Sequence, residues 1–413
     1  MREDHDIVVL SSARSDDSFS SSALSLAKEL SKKNRVFFID HPFSIKDYFT
    51  QYSRGEAIKS RRQALLFGKN IYRKADGASS NFTVVTPRLT IPINWLSQGK
   101  VYDVLSGAND KILASTLRTL IKDFKVKKYI FINIFVPYYL RTIPEDIKPE
   151  VNIYYTVDNI SQEPYIAKHG VRLEKEAILK ADVAFATSKE LTRLVSGYAG
   201  NIHFLPNAAD TSLFKRAMEE KLATPKELKE VTQTVICYTG NIGTRINYPL
   251  LRGIAQAHKD KILLMVGPIS TPDYKAAGLD QLPNVLFVGP KAIGELPAYL
   301  QKSDCTIIPF EYSLLTKSIY PLKINEYLAA GKPVISTAFS DDIVDFEDVA
   351  YIAYSDQEFI DKIDLALKED SMERQQKRLE KAKQNSWAAR VEKFWNINEE
   401  FLNKRNRLRE RLP

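Results

Sequence analysis

The chain has 413 residues and a mass of 47.0 kDa, which is too long for one compact core and predicts two domains. Its 44% hydrophobic and 27% charged residues are ordinary for a globular protein. The two cysteines, Cys237 and Cys305, are too few for a disulfide framework or a cysteine-rich zinc site, and they favour a reducing compartment. The longest apolar run, YIFINIFVPYYL, has 12 residues and is too short to span a bilayer. The acidic start MREDHDIVVLSS does not resemble a signal peptide, so a cytoplasmic location is expected.

The net charge of +8 is concentrated in the first half of the chain. Residues 1–205 carry 30 basic and 22 acidic side chains, whereas residues 206–413 carry 29 of each. Residues 51–100 alone hold nine basic and two acidic groups, and the last segment, FLNKRNRLRERLP, holds five and one. This concentration indicates either a solvated basic face or contact with an anionic partner such as lipid headgroups, nucleic acid or an acidic polymer.

In chain order, the first half predicts seven strands with amphipathic helices between several of them. The strands are DIVVLSS, RVFFID, FTVVTPR, KYIFINIF, NIYYTVD, VAFATS and IHFLPN, and the clearest helical patterns are SSALSLAKELSKKN and VRLEKEAILKA. Short apolar, β-branched runs that alternate with amphipathic helices are typical of a parallel sheet covered on both faces.

The second half repeats this scheme with shorter spacing. Its predicted strands are TVICYTG, KILLMVG, NVLFVG, CTIIPF, PVISTA and VAYIAY. The strand rhythm breaks at residues 206–230, and after Asp356 the pattern is helical to the end. We therefore predict two α/β domains, each a doubly wound parallel sheet. The first spans residues 1–205 and is completed by a helix at about 387–413, and the second spans residues 206–386.

Ligands of open parallel sheets bind beyond the carboxyl ends of the strands. After the first strand of the second domain, YTGNIGTR places Gly240 and Gly243 around Asn241, and Arg245 follows. The glycines allow backbone N–H groups to approach an anion, and Arg245 could add a charge-assisted hydrogen bond. An ordinary strand-to-helix turn explains the same glycine pair equally well. The segment is neither GxGxxG nor a P-loop, so the usual dinucleotide and triphosphate fingerprints are missing.

The segment YPLKINEYLAAGKPVIST predicts a short helix followed by a strand. At 100° per residue, Ile324, Tyr327 and Leu328 form a buried stripe, and Lys323 and Glu326 share a neighbouring arc. A lysine in the first turn opposes the helix dipole, which suggests that an anion occupies that end. The alternative is an exposed i,i+3 ion pair, worth only about 0.2–0.5 kcal/mol.

Four segments, taken in order, resemble the retaining glycosyltransferases of family 4, which have the GT-B fold. They are PLKINEYLAAGKPVIST, LKADVAFATSKEL with HFLPNAADTSLF, NVLFVGPKAIGELPAYLQKSDCTIIPF, and QNSWAARVEKFW. The resemblance covers roughly Tyr154 to Trp395, whereas the first 150 residues match in architecture more than in motif.

This resemblance implies two Rossmann-like domains facing across a cleft, with a nucleotide-sugar donor on the second domain and an acceptor on the first. It implies that Glu326 binds the ribose and that Lys323 and Arg245, with the Gly240 loop, face the diphosphate. The segment from Gly289 to Ala292, which includes Lys291, would pass the base. The donor set that the resemblance implies is completed by Leu322, Lys317 and Ser318. No metal or cofactor is expected beyond the substrate, which would be a UDP- or GDP-sugar.

The sequence departs from the family pattern at three places. Ser318 stands where many members have a first glutamate, so either Glu311 or Lys317 substitutes for it or sugar recognition differs. Arg245 is not followed by the usual lysine. The glycine-rich loop after the first strand is replaced by the polar segment SSARSDDSFSSS, which contains Ser12 and Arg14.

Asp158, at the carboxyl end of the strand NIYYTVD, is the best candidate to position an acceptor hydroxyl or to take its proton. An Asx-turn or helix cap explains this aspartate equally well. Ser12, Arg14 and His41 are further acceptor-side candidates, and His169 is a weaker one. No metal-spaced His/Cys cluster and no Ser-His-Asp order is present in the sequence.

The basic segment SRGEAIKSRRQALLFGKNIYRK interleaves cations with apolar residues, as an interfacial helix does. No nucleic-acid module accompanies it. We therefore predict that residues 54–74 and the C-terminal tail contact an anionic membrane surface, as in a peripheral protein of the inner face of the plasma membrane.

The predicted function is transfer of a sugar to a saccharide or lipid-linked acceptor of the cell surface. A sugar-nucleotide epimerase of the same fold, or a catalytically inactive nucleotide-sugar-binding subunit, is the alternative. A dehydrogenase is disfavoured because its dinucleotide fingerprint is missing.

Overall fold

The computed structural model describes residues 2–16, 21–51, 55–75, 77–162 and 164–410. Within these limits the chain divides into two compact units. The first unit takes in Met1–Thr187, Leu191–Leu205 and Val391–Pro413, and the second takes in Ser188–Glu190 and Pro206–Arg390. The final helix therefore enters the first unit from Val391 onward.

The first unit is built on an eight-stranded sheet with the order β3-β4-β2-β1-β5-β6-β7-β8. All neighbouring strands are parallel except β3, which runs antiparallel to β4 at the edge. The strands are β1 (Asp6–Ser11), β2 (Val36–Ile39), β3 (Tyr72–Arg73), β4 (Phe82–Val85), β5 (Tyr129–Ile134), β6 (Val151–Thr156), β7 (Val183–Ala186) and β8 (Ile202–Phe204).

Seven α-helices follow or separate these strands. They are α1 (Ser22–Leu30), α2 (Ile45–Gln51), α3 (Glu56–Ser60), α4 (Arg62–Phe67), α5 (Lys100–Asp123), α6 (Pro164–Lys180) and α7 (Lys189–Ser196). One core of this unit lies between the central strands and α5. There, Leu113, Leu117 and Leu120 of α5 pack with buried residues such as Val8 of β1 and Phe131 of β5.

The second unit has a six-stranded sheet, parallel throughout, with the order β11-β10-β9-β12-β13-β14. Its strands are β9 (Val235–Thr239), β10 (Ile262–Val266), β11 (Val285–Gly289), β12 (Cys305–Ile308), β13 (Val334–Thr337) and β14 (Tyr351–Ala353). Numbered from its own first strand, this order is 3-2-1-4-5-6, which is that of a doubly wound nucleotide-binding sheet.

The remaining helices complete the second unit and the end of the chain. They are α8 (Thr211–Glu219), α9 (Tyr248–Ala257), α10 (Asp273–Ala276), α11 (Leu296–Lys302), α12 (Leu314–Lys317), α13 (Leu322–Ala329), α14 (Asp341–Val344), α15 (Asp356–Glu369), α16 (Met372–Gln384) and α17 (Trp387–Glu410). Short 3-10 helices occupy Arg2–Asp4, Glu145–Ile147, Ile160–Gln162, Lys226–Leu228, Leu279–Gln281 and Ile293–Glu295.

The predicted fold class is confirmed, since both halves form doubly wound α/β sheets. The basic segment differs from its prediction. Instead of one interfacial helix it forms α3 and α4, which are separated at Arg61, and then the edge strand β3. The last helical turn ends at Gly68, which adopts a left-handed conformation with φ of 65°. Among the helices of the described residues, none is long and apolar enough to cross a bilayer.

Candidate functional site

The order of the second sheet reverses between β9 and β12, because β10 and β11 lie on one side of β9 and β12 to β14 lie on the other. Crevices form at such switch points beyond the carboxyl ends of the strands. Here β9 ends at Thr239, followed by Gly240, and β12 leads to Phe310. The segment around Gly240 is therefore where the second sheet predicts a ligand.

Lys323, in the first turn of α13, lies directly against Gly240. A Cβ atom at Gly240 would come within 2.5 Å of Lys323 Cε and 2.6 Å of its Nζ. Gly240 also has φ of 126°, a conformation that other residues rarely adopt. The Lys323 ammonium lies 5.4 Å from the ring centre of Tyr238 and 5.8 Å from that of Phe310, within cation–π range. Glycine at position 240 thus makes room for the lysine head group.

The charge of Lys323 is poorly compensated. Among the described residues, no hydrogen bond or ion pair to its ammonium is present, although the side chain is half-buried. Burial lowers the pKa of Lys323, and the positive charge of Arg245 adds to this, while Glu326 opposes it. The ammonium of Lys323 therefore lies within electrostatic range of Arg245 and Glu326, and a buried ammonium of this kind suits an anionic ligand.

The first turn of α13 supplies further anion-binding groups. Pro321 occupies the N-cap position, and no side chain caps the helix, so its first backbone N–H groups lack the usual side-chain acceptor. The Tyr327 hydroxyl accepts a hydrogen bond of 2.8 Å from the Thr239 N–H, which fixes α13 against the end of β9. The positive end of the helix and the lysine thus act on the same ligand position.

Glu326 lies one turn beyond Lys323 and is half-buried. Burial raises the pKa of this carboxyl, and the charge of Lys323 partly opposes the rise. In the described part of the chain, no hydrogen-bond donor reaches its carboxylate. A half-buried carboxylate beside an anion site can accept hydrogen bonds from ligand hydroxyl groups.

Asn241 and Gly243 shape the loop around this site. The Asn241 side chain donates to the Ser270 hydroxyl at 3.0 Å, and a Cβ at Gly243 would come within 2.5 Å of that same oxygen. The loop is also held by Gly267, where a Cβ would lie 1.9 Å from the Gly240 carbonyl oxygen. The ends of β9 and β10 can therefore approach each other only because position 267 is a glycine.

Three other predicted donor residues are engaged elsewhere. Lys291 forms an ion pair of 2.6 Å with Glu227, whose second oxygen accepts from the Tyr299 hydroxyl. This pair lowers the pKa of Glu227 to about 2.

Lys317 is exposed and lies 3.6 Å from Glu190. Ser318 is buried, and its hydroxyl donates to the Leu314 carbonyl at 3.1 Å. The two remaining members, Gly289 and Leu322, end β11 and begin α13, respectively.

The two-unit architecture is shared with solved structures. The chain is similar to a sucrose-phosphate synthase of Thermosynechococcus elongatus, with a TM-score of 0.65 at 14% identity, over 97% of this chain and 100% of that one. It is also similar to an alpha,alpha-trehalose 6-phosphate synthase of Burkholderia multivorans, with a TM-score of 0.67 at 11% identity, over 98% and 99% of the two chains. The chain therefore has the GT-B fold, and residues 233–369 match the Glycosyl transferases group 1 family.

A curated relative of this GT-B chain is the Bacillus subtilis protein named "Putative teichuronic acid biosynthesis glycosyltransferase TuaH". The two are 30% identical over 172 residues, which is 40% of this chain and 42% of the relative. The matched region thus spans less than half of the curated relative. The group 1 domain contains Gly240, Arg245, Lys323 and Glu326, the residues that the structure brings together.

In the first unit of this GT-B chain, the acceptor-side candidates lie at the carboxyl ends of β1, β2 and β6. Ser12 is exposed, and its N–H donates to the Ile134 carbonyl at 3.2 Å. Arg14 donates to the His41 carbonyl at 3.1 Å. Burial and the charge of Arg14 lower the pKa of His41 to about 4, so its imidazole is neutral at neutral pH. Asp158 is half-buried just after β6.

His169, the weaker candidate, is a core residue. Its ring is buried and stacks on Tyr102 with 3.9 Å between the ring centres, and its Nε2 lies 3.0 Å from the Leu96 carbonyl oxygen. Within the residues that the structure describes, no group of three or more His, Cys, Asp or Glu side chains could hold a metal ion.

Sequence reasoning missed several polar residues near these strand ends. Glu174 of α6 is buried and accepts hydrogen bonds from the hydroxyls of Thr156 and Tyr154, at 2.8 Å and 3.3 Å. Burial raises the pKa of Glu174 to about 7. Asp40 and Arg61 are likewise buried. In the sequence, Arg61 looks like one of several surface cations, and only its three-dimensional surroundings distinguish it.

Proposed function

We propose that this chain is a glycosyltransferase that moves a sugar from a nucleotide-sugar donor to an acceptor hydroxyl. The observation that carries the proposal is the group of Lys323, Arg245 and the uncapped start of α13 at the switch point of the second sheet. Such a group suits the diphosphate of a nucleotide sugar. The matched group 1 domain supports the same assignment.

In the proposed reaction, the bond between the sugar C1 and the diphosphate oxygen breaks, and the electron pair leaves with the diphosphate. The ammonium of Lys323, the guanidinium of Arg245 and the backbone N–H groups of α13 stabilise this developing negative charge. They would do so without a metal ion. Glu326 accepts hydrogen bonds from the ribose hydroxyls and so fixes the nucleotide relative to Lys323.

The acceptor oxygen forms the new bond to C1, and its proton passes to the departing diphosphate oxygen. We assign the positioning of this hydroxyl to Asp158, which follows β6 in the first unit. Retention of configuration and a hexosyl donor are proposed on the family resemblance. The solved Escherichia coli trehalose-6-phosphate protein, described as bound with UDP-2-fluoro glucose, supports a UDP-sugar as the first donor to examine.

We propose a cell-surface polysaccharide or glycolipid as the acceptor. The name of the Bacillus subtilis relative refers to teichuronic acid biosynthesis, which supports a polysaccharide. A lipid-linked acceptor would place the protein at the inner face of the membrane, and the excess of positive charge in residues 51–100 supports contact with anionic lipid.

The proposal is tested by incubating the purified chain with UDP-, GDP- and ADP-sugars, with and without candidate acceptors. Release of nucleoside diphosphate together with a new glycoside, whose anomeric configuration is read by NMR, is the expected result. An epimerised donor with no glycoside would instead indicate an epimerase. Nucleotide binding without any turnover across donors and acceptors would indicate an inactive binding subunit.

A further inference from the structure

Three arginines and two aspartates converge at the carboxyl ends of β1 and β2 in the first unit. Asp40, the residue after β2, is buried and accepts a hydrogen bond of 2.8 Å from the Ser15 N–H and another from Arg73. Arg61 donates to Asp16 and lies 3.8 Å from Asp40. We call Arg14, Arg61, Arg73, Asp16 and Asp40 the arginine cluster.

The arginine cluster is packed around the ring of Phe43. The Arg14 guanidinium lies 3.7 Å from the ring centre, and that of Arg61 lies 6.0 Å from it. The neutral imidazole of His41 borders the cluster through the hydrogen bond from Arg14 to its carbonyl. The three guanidinium groups therefore share this region with the carboxylates of Asp16 and Asp40.

In the part of the chain that the structure describes, two donors of the cluster have no hydrogen-bond acceptor. They are Arg61 Nη1 and Arg73 Nε, which are both buried, and the Arg61 side chain as a whole is 6% exposed. A buried donor of a charged group that lacks an acceptor destabilises the folded protein. A bound oxyanion would supply acceptors to both donors.

The two aspartates differ in how readily they can be displaced. The Asp40 side chain is 2% exposed and is held from two sides, whereas the Asp16 side chain is 40% exposed. Asp16 also lies on the loop after β1, close to the exposed Ser12. An incoming anion can exchange with the carboxylate of Asp16 on Arg61 without disturbing the buried Asp40.

We propose that the arginine cluster binds an oxyanion of the acceptor, either a phosphate group or a sugar carboxylate, and that Asp16 occupies this position until the acceptor arrives. The inference rests on the proposed glycosyl transfer and adds the chemical class of the acceptor. Arg61 and Arg73 bind the anion, and Asp40 orients Arg73.

The alternative is that Asp16 and Arg61 only hold the loop after β1. The two readings predict opposite effects for Asp16→Asn. If Asp16 competes with the acceptor, its neutralisation raises the affinity for an anion. If the pair only holds the loop, the variant binds no better, and its melting temperature falls.

The test is calorimetric titration of the full chain with inorganic phosphate, with glucuronate and with glucose as the uncharged control. Every protein carries Lys323→Met, so that the candidate diphosphate site of the second unit does not contribute. We expect one of the two anions to bind and glucose not to bind. We further expect Asp16→Asn to tighten binding several-fold, and Arg61→Gln to weaken it at least ten-fold.

If Arg61→Gln does not fold, Arg73→Gln replaces it in the titration. Arg73 is less buried than Arg61, and this variant keeps the Arg61–Asp16 pair. Arg118→Gln is the matched control, since Arg118 is an exposed arginine of the same unit, paired with Asp146. Binding of phosphate alone indicates a phosphorylated acceptor, and binding of glucuronate alone indicates a uronic acid.

The inference is overturned if neither anion binds, or if Asp16→Asn fails to tighten binding. Nucleotide binding is measured in parallel on the same variants without the Lys323→Met substitution. Intact nucleotide binding beside absent anion binding removes this inference and leaves the proposed function in place, whereas loss of nucleotide binding removes the proposed function itself.

Discussion

At the residue scale, Lys323 lies in a position where burial disfavours its charged form. Its ammonium is half-buried against Gly240 and beside Arg245, and burial lowers its pKa. Desolvating a charge without a partner disfavours the folded state, so such positions are typical of binding sites. In our proposal, the diphosphate of the donor compensates the charge of this lysine.

Lys323→Met should therefore raise the free energy of unfolding, by about 1–2 kcal/mol, because the thioether fills the same space without a desolvated charge. The measurement is urea denaturation of the chain without ligand. Lys302→Met, at an exposed position on α11, is the control and should change little. If Lys323→Met is less stable than the wild type, the charge of Lys323 stabilises the fold, which would contradict the claim that it lacks a partner.

Glu174 provides a prediction of pH dependence. Burial raises the pKa of Glu174 to about 7 from an ordinary value of 4.5, so the folded state holds the proton more tightly than the unfolded state. Stability from this group is greatest below pH 4.5 and is lost as the pH rises toward 7. Glu174→Gln should be more stable than the wild type at pH 8, by on the order of 3 kcal/mol, with the difference vanishing near pH 4.5.

Denaturation curves collected across this pH range measure the effect. Glu145→Gln, which alters an exposed carboxylate of the same unit, is the control. An equal change for Glu174→Gln at every pH would show that the hydrogen bonds of Thr156 and Tyr154, and not the charge, dominate at this site.

At the element scale, α13 is fixed toward its carboxyl end by partners distant in sequence. Tyr327 fastens it to Thr239, and the buried Arg378 of α16 donates to the Gly331 carbonyl at 2.9 Å, just beyond the end of α13. Arg378 also forms an ion pair with Asp370. A cation at the carboxyl end of a helix complements the helix dipole as well.

Arg378→Met should lower the free energy of unfolding by about 1–3 kcal/mol, because it removes the buried donor to the Gly331 carbonyl and the partner of the exposed Asp370. We also expect weaker nucleotide binding, since α13 carries Lys323 and Glu326. Arg374→Met, which alters an exposed arginine of the same helix paired with Glu369, should cost no more than about 0.5 kcal/mol. Equal effects of the two substitutions would argue against the anchoring role of Arg378.

The sequence is sufficient to predict elements whose periodicity is local. All six strands of the second sheet and the buried stripe of Ile324, Tyr327 and Leu328 follow from spacing alone. The edge strand β3 has two residues and no period of its own, so only its partner β4 defines it.

The partners of charged side chains could not be predicted, because they depend on tertiary contacts. Lys291 pairs with Glu227, 64 positions away, and Arg61 is buried against Asp16 and Asp40. Ser318 belongs to the donor set that the family resemblance implies, and the structure adds that its hydroxyl donates to the Leu314 carbonyl. Spacing identifies which residues share a helix face, whereas it does not identify which charges are already neutralised.

At the scale of the whole molecule, the excess positive charge belongs to the first unit, and part of it is not on the surface. Lys59 and Arg62 are exposed, but Arg61 is buried in the arginine cluster. Arg54 and the last residues of the basic tail lie outside the described residues. Phe67, at the end of α4, is 65% exposed beside these cations. Exposed cations and an aromatic side chain together suit an anionic membrane surface.

Combined Lys59→Gln and Arg62→Gln should reduce sedimentation of the chain with phosphatidylglycerol vesicles at low salt, and the loss should shrink as salt is added. Phe67→Ser should reduce the binding that remains at high salt. The control is combined Lys377→Gln and Lys381→Gln on α16 of the second unit. Vesicle binding that survives all three substitutions of the first unit would rule out this surface as the contact.

The most direct test of the central claim is calorimetric titration of the wild type and Glu326→Ala with UDP, GDP and their sugars. The wild type should bind one nucleotide family, and Glu326→Ala should bind it at least ten-fold more weakly while it keeps the wild-type circular dichroism spectrum. Unchanged nucleotide affinity in Glu326→Ala, or no nucleotide binding by the wild type, would contradict the donor site that we propose for the second unit.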